Sequence, residues 1–564
     1  MSTVSLHPAR SPLAALLLVG VVYVLAALLI EHHGLWIIDN QIKFLQVEQI
    51  LATHGRSYAM PWPGSALDPE LRFQPMIFPF FAVRDHTLYP AYTPIFPLLS
   101  AIPFATFGFG GLSLLPLLGG LLSAWGAARL ARICALSASA QSLSAVLAGL
   151  LTPLWFYSEV YWEHTLAVAA CLWGVGFVLQ FLQAGSWKRL ASGGALCATG
   201  IYLRDDLYVF CAALALMTFL RTPRSRLRTA AVLGAAMIGA LLPLWFFQAW
   251  AIGQPFGFHI GVHVFDFPGL GQHFAERPAV IYRLFVRCAS NPWLSIVLLA
   301  PFLVGFLLRP RLSTEAFRWT IPGVALWSLA GFLFVMRGYF EAESPILHMI
   351  QVNTLFAVSP ILVCAFWRNQ EDASLLSSFV WPLTLIYVVV YSLVSPLDAT
   401  EGVHWGNRLV LVLYPLFAVM AAEQITHWTP RAGKASAFGT GVLIITAVAS
   451  LLGQAYSVWL LDRKQTVTKQ LNEMVAARPE RAILTDLWWV PLEIYSVFPE
   501  RPIFRVRSQD QINELLAILK QAGYEACLLV TGPGRPTSLP PVAIFEDETT
   551  HCRMVKLIRI DLGS

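Results

Sequence analysis

Long apolar runs separated by short polar stretches dominate this sequence up to about residue 461. A bilayer core of about 30 Å is crossed by about 20 apolar residues in a helix, so each such run predicts a membrane span. The candidate runs lie near residues 11–31, 110–130, 138–158, 163–183, 190–204, 205–221, 229–251, 291–308, 318–336, 347–367, 374–394, 406–423 and 437–461. The pattern predicts a polytopic α-helical membrane protein of about 13 spans.

One further apolar stretch, TPIFPLLSAIPFATF at 93–107, contains three prolines. Proline interrupts a helix, and a full span here would reverse the orientation of every later loop. We therefore expect an interfacial or re-entrant helix on the outer side.

The pattern changes after residue 461, where polar residues become frequent and helical and strand-like segments alternate. This alternation predicts a small α/β domain over 462–564. The helical patterns are QTVTKQLNEMVAAR and SQDQINELLAILKQAG, and the strand-like runs are RAILTD, PIFRV, EACLLVTG and RMVKLIRIDL. Two cysteines of this region, Cys527 and Cys552, fall on neighbouring strand-like runs, which leaves a disulfide or two free thiols open.

Composition agrees with membrane insertion. The 564 residues are 57% hydrophobic and 13% charged, and the mean hydropathy is +0.62. The net charge of +5 is small for this length, and the basic residues form no continuous patch that would bind nucleic acid.

The charges of the loops predict the orientation of the chain in the membrane, because cytoplasmic loops carry an excess of Lys and Arg. The basic loop residues share one side if the N-terminus is cytoplasmic; they are Arg10, Arg129, Arg132, Lys188, Arg189, the cluster Arg221–Arg228, Arg309, Arg311, Arg368, Arg431 and Lys434. This predicts a multi-pass protein of the cell inner membrane. Its transmembrane domain would be 1–461 with outer loops 32–109 and 253–290, and 462–564 would be extracytoplasmic.

The first outer loop opens with DNQIKFLQVEQIL, in which apolar residues stand close to helical spacing after Asp39 at a natural N-cap position. One interpretation is an amphipathic helix on the membrane surface, capped by an aspartate. The other is a functional carboxylate, because an acidic group at the hydrocarbon edge is costly to keep there.

Several segments together resemble the integral-membrane GT-C glycosyltransferases, and especially the branch of bacterial protein O-mannosyltransferases and the aminoarabinose transferase of lipid A. The segments are DNQIKFLQ, YPAYTPIFPLLSAIPFATFG, ARLARI, YSEVYWEHTL, GIYLRDDLYVF and HWGNRLVLVLYPLF. The resemblance implies hexosyl or pentosyl transfer from a polyprenyl-phosphate donor to a hydroxyl on the extracytoplasmic face. The acceptor, whether lipid, polysaccharide or protein, stays open.

This chemistry gives roles to the titratable residues. Asp39 would take or orient the acceptor proton, and Glu163 or His164 would assist it. The alternative for Glu163 and His164 is a polar hairpin turn that reaches water. The lipid phosphate leaves as an anion and needs cationic or hydrogen-bonding stabilisation.

Outer-side polar residues are the candidates for binding the substrate, with Asp206 as an internal ion-pair partner of Arg204. The alternative for each cation is a snorkelling side chain that anchors a span end. The candidates are Lys43, Arg84, Arg204, Asp206, Arg337, His404 and Arg408.

The chain also departs from the family. It has Asp39-Asn40 where many relatives carry two acidic residues, and AYTPIFP lacks the lysine of a Lys-Pro-Pro motif. Hard divalent cations take several oxygen ligands, so the single first-loop carboxylate makes a metal cofactor doubtful.

Two other classes of protein stay open. A lipid or glycolipid transporter or flippase would also have many spans and interfacial arginines, although transporters tend to carry internal repeats and charges near the bilayer midplane. A non-catalytic scaffold would leave the Asp39 helix without a purpose.

Overall fold

The computed structural model describes residues 12–78, 80–257, 260, 270–352, 354–370, 374–395, 402–428, 434–532, 544–546 and 555–563. Cys527 is a buried free cysteine, and Cys552 lies outside these residues. Residues 258–259 and 261–269 of the predicted outer loop 253–290 also lie outside the described residues.

The described chain is mostly helical. The helices are α1 (Leu13–Leu29), α2 (Ile38–Ala52), α3 (Ile95–Phe107), α4 (Phe109–Leu112), α5 (Leu114–Ile133), α6 (Ala138–Leu150), α7 (Leu154–Glu159), α8 (His164–Ala184), α9 (Trp187–Ile201), α10 (Leu207–Arg221), α11 (Arg226–Ile252), α12 (Leu270–Phe285), α13 (Pro292–Leu308), α14 (Thr314–Glu341), α15 (Pro345–His348), α16 (Trp381–Val394), α17 (Leu413–His427), α18 (Lys434–Ala476), α19 (Val490–Glu493) and α20 (Gln509–Gln521). Short 3-10 turns occur at Pro63–Ala66, Pro360–Ala365, Arg408–Val410 and Tyr495–Val497, and a π-helical turn at Leu376–Val380.

Six of the described helices are long and apolar enough to cross a membrane, and five shorter ones are also apolar. The chain is therefore a membrane protein rich in apolar helices, as predicted. The count of about 13 spans stays a prediction.

The predicted span 347–367 is wrong as a continuous helix. α15 ends at His348, and a 3-10 turn at Pro360–Ala365 follows a non-helical segment. Proline disfavours the helical conformation of the residue before it, here Ser359, and hydropathy alone does not register that effect.

The contacts divide the chain into two compact units. The first unit contains Met1–Ile30, Ser113–Leu244 and His263–Leu461. The second unit contains Glu31–Leu112, Trp245–Val262 and Asp462–Ser564. The predicted domain boundary at 461 stays a prediction, and α18 runs through it as one helix.

Close helix packing positions α8 in the first unit. A Cβ atom at Gly119 of α5 would lie 2.6 Å from the Thr165 hydroxyl oxygen, and one at Gly174 of α8 would overlap the Cys197 sulfur of α9. Glycine at these positions lets the three backbones approach, as small residues do between membrane helices. The first residue of α8, His164, is thereby fixed.

The second unit contains a mixed five-stranded sheet of order β6-β5-β7-β9-β8. Its strands are β5 (Ile483–Thr485), β6 (Ile503–Arg505), β7 (Ala526–Thr531), β8 (Ile544–Glu546) and β9 (Lys556–Asp561). β5 pairs in parallel with β6 and β7, whereas β9 pairs antiparallel with β7 and β8. The four strand-like runs of the sequence coincide with β5, β6, β7 and β9.

Two-stranded pairings occur elsewhere. β1 (Phe81–Arg84) and β2 (Thr87–Pro90) form a hairpin in the second unit. β3 (Arg311–Leu312) and β4 (Arg368–Asn369) pair in parallel in the first unit.

Candidate functional site

A break between two helices of the first unit carries the candidates Glu163 and His164. α7 ends at Glu159, and α8 begins at His164 with Glu163 at its N-cap position. Glu163 is 4% exposed and His164 is fully buried. The alternative of a polar turn that reaches water is therefore wrong, because this turn is enclosed by protein.

Arg204 joins these residues from the turn between α9 and α10. Its Nη1 contacts His164 Nε2 and lies 3.9 Å from Glu163 Oε1. Its Nε and Nη2 donate to the two carboxylate oxygens of Asp206 at 2.8 and 3.1 Å. The predicted Arg204–Asp206 ion pair is present, and residues 40 positions apart in sequence are brought into contact.

Aromatic rings enclose His164. The Tyr157 ring stacks on the imidazole at 5.3 Å between centroids, and the Trp162 ring lies at 4.4 Å. The guanidinium carbon of Arg408 lies 5.0 Å from the Trp162 ring centroid, a cation–π distance. Trp162 therefore lies close to both His164 and a second arginine.

The segment HWGNRLV explains how Arg408 is held. Gly406 has φ +64°, and a Cβ atom there would lie 2.6 Å from the Tyr414 hydroxyl, so only glycine suits this turn. The Asn407 side chain accepts from Leu409 N at 3.1 Å and donates to Leu284 O at 2.8 Å. Asn407 thus begins the 3-10 turn that carries Arg408 and ties it to α12.

A small cavity of about 10 Å³ is lined by His164, Arg204, Asp206, Arg408 and apolar residues of α8, α10 and the Arg408 turn. That volume accommodates about one water molecule. Arg204 and Arg408 are the two cationic side chains that line this cavity. We call His164, Arg204, Asp206 and Arg408, with Glu163, the arginine cluster.

His404 lies close to Arg408 in the structure. A Cβ atom built on Gly402 would lie 3.5 Å from His404 Nδ1 and 3.9 Å from Arg408 Nη2. His404 is fully buried. The neighbouring Trp405 donates to Gln454 Oε1 at 2.9 Å, which fastens this segment to α18.

Asp39 lies in the second unit, 7% exposed, in the first turn of α2. The expected N-cap role is wrong: α2 begins at Ile38, Ile37 occupies the N-cap position, and Asn40 Oδ1 accepts from Ile37 N at 3.1 Å. A carboxylate in the first helical turn still interacts favourably with the helix dipole. Asp39 is therefore buried without being the cap.

Lys43 lies one turn after Asp39 and is 2% exposed, with its Nζ 4.5 Å from the Tyr92 ring centroid. Glu48, farther along α2, is only partly exposed. Burial and the nearby Glu500 carboxylate raise the pKa of Glu48 to about 7. One α2 residue thus changes charge near neutral pH.

Two predicted substrate-binding arginines make other contacts. Arg84, at the end of β1, donates from Nη1 to Trp250 O at 2.7 Å and Ala251 O at 2.8 Å, so it satisfies carbonyls near the end of α11. Arg337 is exposed on α14 and pairs with Glu341 of the same helix at 2.7 Å.

Within the described residues, no group of three or more His, Cys, Asp or Glu side chains is arranged to bind a metal ion. The arginine cluster contains two guanidinium groups, Arg204 and Arg408, and guanidinium groups bind anions rather than metal ions.

Sequence reasoning missed Tyr157 and Trp162, although YSEVYWEH places aromatics on both sides of a glutamate. It also missed Glu493, which is 4% exposed. The sequence feature that could have identified Glu493 is its place as the one acidic residue in the apolar segment VPLEIYSVF.

No family model matches the sequence, and no curated protein matches it. Solved structures do match. The structure is similar to ArnT from Cupriavidus metallidurans in the apo state, with TM-score 0.53, 12% identity and 98% of each chain covered. It is also similar to the same enzyme bound to undecaprenyl phosphate, with TM-score 0.50, 12% identity and 98% of each chain covered. A structure of the oligosaccharyltransferase AglB from Archaeoglobus fulgidus matches with TM-score 0.48 and 12% identity, over 92% of this chain and 69% of that one. The resemblance seen in the sequence is thus confirmed at the level of the fold, which is that of ArnT.

Proposed function

We propose that this chain is a glycosyltransferase that transfers a sugar from a polyprenyl-phosphate donor to an acceptor hydroxyl on the extracytoplasmic face. The ArnT fold, which covers nearly the whole chain, supports a transferase of this class. One of the ArnT structures contains undecaprenyl phosphate, which supports a lipid-phosphate donor.

The arginine cluster carries the proposal. As the glycosidic bond breaks, the lipid phosphate leaves with its negative charge, so the reaction is favoured by fixed cations rather than by a strong acid. Arg204 is oriented by Asp206, and Arg408 is oriented by its glycine-asparagine turn. Preorganised guanidinium groups bind phosphate oxygens through charge-assisted hydrogen bonds. His164 lines the same cavity, and its Nε2 accepts from Arg204 Nη1.

Asp39 is the proposed general base. A carboxylate held in a buried, low-dielectric setting can accept the acceptor proton as the hydroxyl attacks the anomeric carbon. In this proposal the first-loop helix α2 and the α/β region face the extracytoplasmic side. Lys43, one turn after Asp39 on α2, is proposed as a further cation that binds the substrate.

A donor panel tests the proposal. Purified protein in detergent or nanodiscs is incubated with polyprenyl-phosphate sugars and a membrane extract as the source of acceptor, and released polyprenyl phosphate is measured. We expect release with at least one donor. Movement of intact donor across proteoliposomes, without release from any donor, would contradict the proposal and favour a flippase.

A further inference from the structure

A buried carboxylate network surrounds Glu493 in the second unit. Glu493 ends the short helix α19 and is 4% exposed. Its Oε1 accepts from Thr468 Oγ1 at 2.5 Å and from Lys464 Nζ, both on α18. Its Oε2 accepts from Gln41 Nε2 at 2.7 Å. One carboxylate therefore joins α18, α19 and α2.

The network is closed by backbone contacts. Asn472 Nδ2 donates to the Glu493 carbonyl at 2.7 Å, and Asn472 Oδ1 accepts from Ser496 N at 3.0 Å. A buried charge is tolerated when it is paired and its remaining lone pairs are hydrogen-bonded. Glu493 meets both conditions, and its carboxylate is held by α18 through Oε1 and by Gln41 of α2 through Oε2.

Gln41 is where this network reaches α2. Gln41 is fully buried and lies two residues after Asp39, in the first turns of the same helix. The hydrogen bond to Glu493 fixes the rotation of α2 about its axis, because a turn of the helix would withdraw the Gln41 amide. The direction of the Asp39 side chain changes with the same rotation.

Further contacts of the second unit hold the chain just before α2. Glu31 N donates to Asp462 Oδ1 at 2.9 Å, and Lys469 Nζ pairs with Glu31 Oε2 at 2.9 Å. The Tyr495 hydroxyl donates to His33 O at 2.5 Å. These contacts hold the segment before α2, and the Gln41–Glu493 hydrogen bond holds the helix itself, two residues after Asp39.

We propose that Glu493 is a positioning residue for Asp39, acting through Gln41. The proposal rests on the proposed catalytic role of Asp39. In this proposal α18 and α19 hold α2, the helix that carries Asp39, in the rotation about its axis that directs Asp39 to the substrate. A misplacement of about 1 Å in a catalytic group can cost roughly a hundredfold in rate, so such a hold affects turnover more than substrate binding.

A charge exchange across the Gln41–Glu493 bond tests the proposal. Gln41→Glu places two carboxylates in contact and is expected to lower kcat roughly ten- to a hundredfold with KM nearly unchanged. In the double variant Gln41→Glu/Glu493→Gln, residue 493 keeps an oxygen for Lys464 and Thr468 and offers an amide to residue 41. We expect kcat to return to within about threefold of wild type. The matched control is Gln49→Glu, the same change at a partly exposed position of α2.

Hydrogen–deuterium exchange of amides 38–52 in the full-length protein gives a readout that needs no substrate. We expect faster exchange in Gln41→Glu and Gln41→Ala, wild-type exchange in Gln49→Glu, and recovery in the double variant. Wild-type exchange and kcat in Gln41→Glu would overturn the positioning role, as would a double variant no better than the single one. If Gln41→Glu does not fold, Gln41→Ala decides by the same two measurements.

Asp39→Asn is measured in parallel to separate the two proposals. Full turnover in Asp39→Asn would remove the catalytic role on which this inference rests. Lost turnover in Asp39→Asn with wild-type kcat in the Gln41 variants would overturn the positioning role alone.

Discussion

The Arg204 guanidinium donates two hydrogen bonds to the Asp206 carboxylate, from Nε to Oδ1 at 2.8 Å and from Nη2 to Oδ2 at 3.1 Å. This bidentate arrangement fixes the plane of the guanidinium and leaves Nη1 directed to His164. Asp206 therefore orients Arg204 within the arginine cluster rather than neutralising a distant charge.

Removing Asp206 is predicted to destabilise the protein. Both side chains of the pair are about one-seventh exposed, at 14% and 13%. Asp206→Ala would leave a largely buried guanidinium without its main partner, a change that costs about 3–5 kcal/mol. Thermal unfolding in detergent should show a clear fall in Tm. The double variant Arg204→Met/Asp206→Leu should recover part of the lost Tm, because no unpaired charge is left buried. A wild-type Tm in Asp206→Ala would contradict the stabilising role of the pair.

Arg408→Ala is predicted to weaken binding of undecaprenyl phosphate. A hydrogen bond to a charged group contributes about 1.5–3 kcal/mol, which corresponds to a Kd increase of roughly ten- to a hundredfold. Titration of the purified protein with undecaprenyl phosphate measures this Kd. Arg318→Ala, at an exposed position of α14, is the control and should bind as wild type. Equal affinity of Arg408→Ala and wild type would exclude Arg408 from the phosphate site.

Gly406→Ala is predicted to disturb the turn that carries Arg408. The φ of +64° is unfavourable for alanine by about 1–2 kcal/mol, and the new methyl would meet the Tyr414 hydroxyl. We expect a lower Tm and weaker undecaprenyl phosphate binding. Gly441→Ala is the matched control: a Cβ atom there meets nothing within 4 Å and lies in α18, so it should leave Tm unchanged or raised. Equal behaviour of the two variants would contradict the account of this turn.

Glu48 is predicted to make stability depend on pH near neutrality. Burial and Glu500 raise its pKa from 4.5 to about 7, so the native state holds this proton more tightly than the unfolded chain. The unfavourable contribution is absent below about pH 4.5, grows with pH and is complete above about pH 7. Glu48→Gln should therefore raise Tm at pH 8 and leave it unchanged at pH 4.5. Glu70→Gln, at an exposed position, should show no such trend, and a Glu48→Gln effect of equal size at both pH values would contradict the raised pKa.

Local patterns predicted local features well. The ion pair of Arg204 with Asp206 lies within three residues, and the strand-like runs RAILTD and PIFRV became β5 and β6. Apolar periodicity also predicted most helices, because burial of apolar surface depends on residue type. It failed at 347–367, where Pro360 breaks a run that is apolar enough to span.

The assembly of the arginine cluster could not be predicted, because it depends on packing between distant segments. His164, Arg204 and Arg408 were each candidates, but nothing in their spacing placed them around one cavity. The link from Gln41 to Glu493 crosses 452 positions of sequence. A lone glutamate in an apolar segment marked Glu493 as unusual without naming its partner.

The Asp39→Asn substitution tests whether Asp39 is the general base of the proposed transfer reaction. Wild-type protein and Asp39→Asn are each mixed with a polyprenyl-phosphate sugar that the wild type consumes, and polyprenyl phosphate release is followed over a single turnover. We predict a rate more than about a hundredfold lower for Asp39→Asn, with Tm and undecaprenyl phosphate affinity near those of wild type. An unchanged rate would contradict the account, because the proton of the acceptor would then be taken by another group.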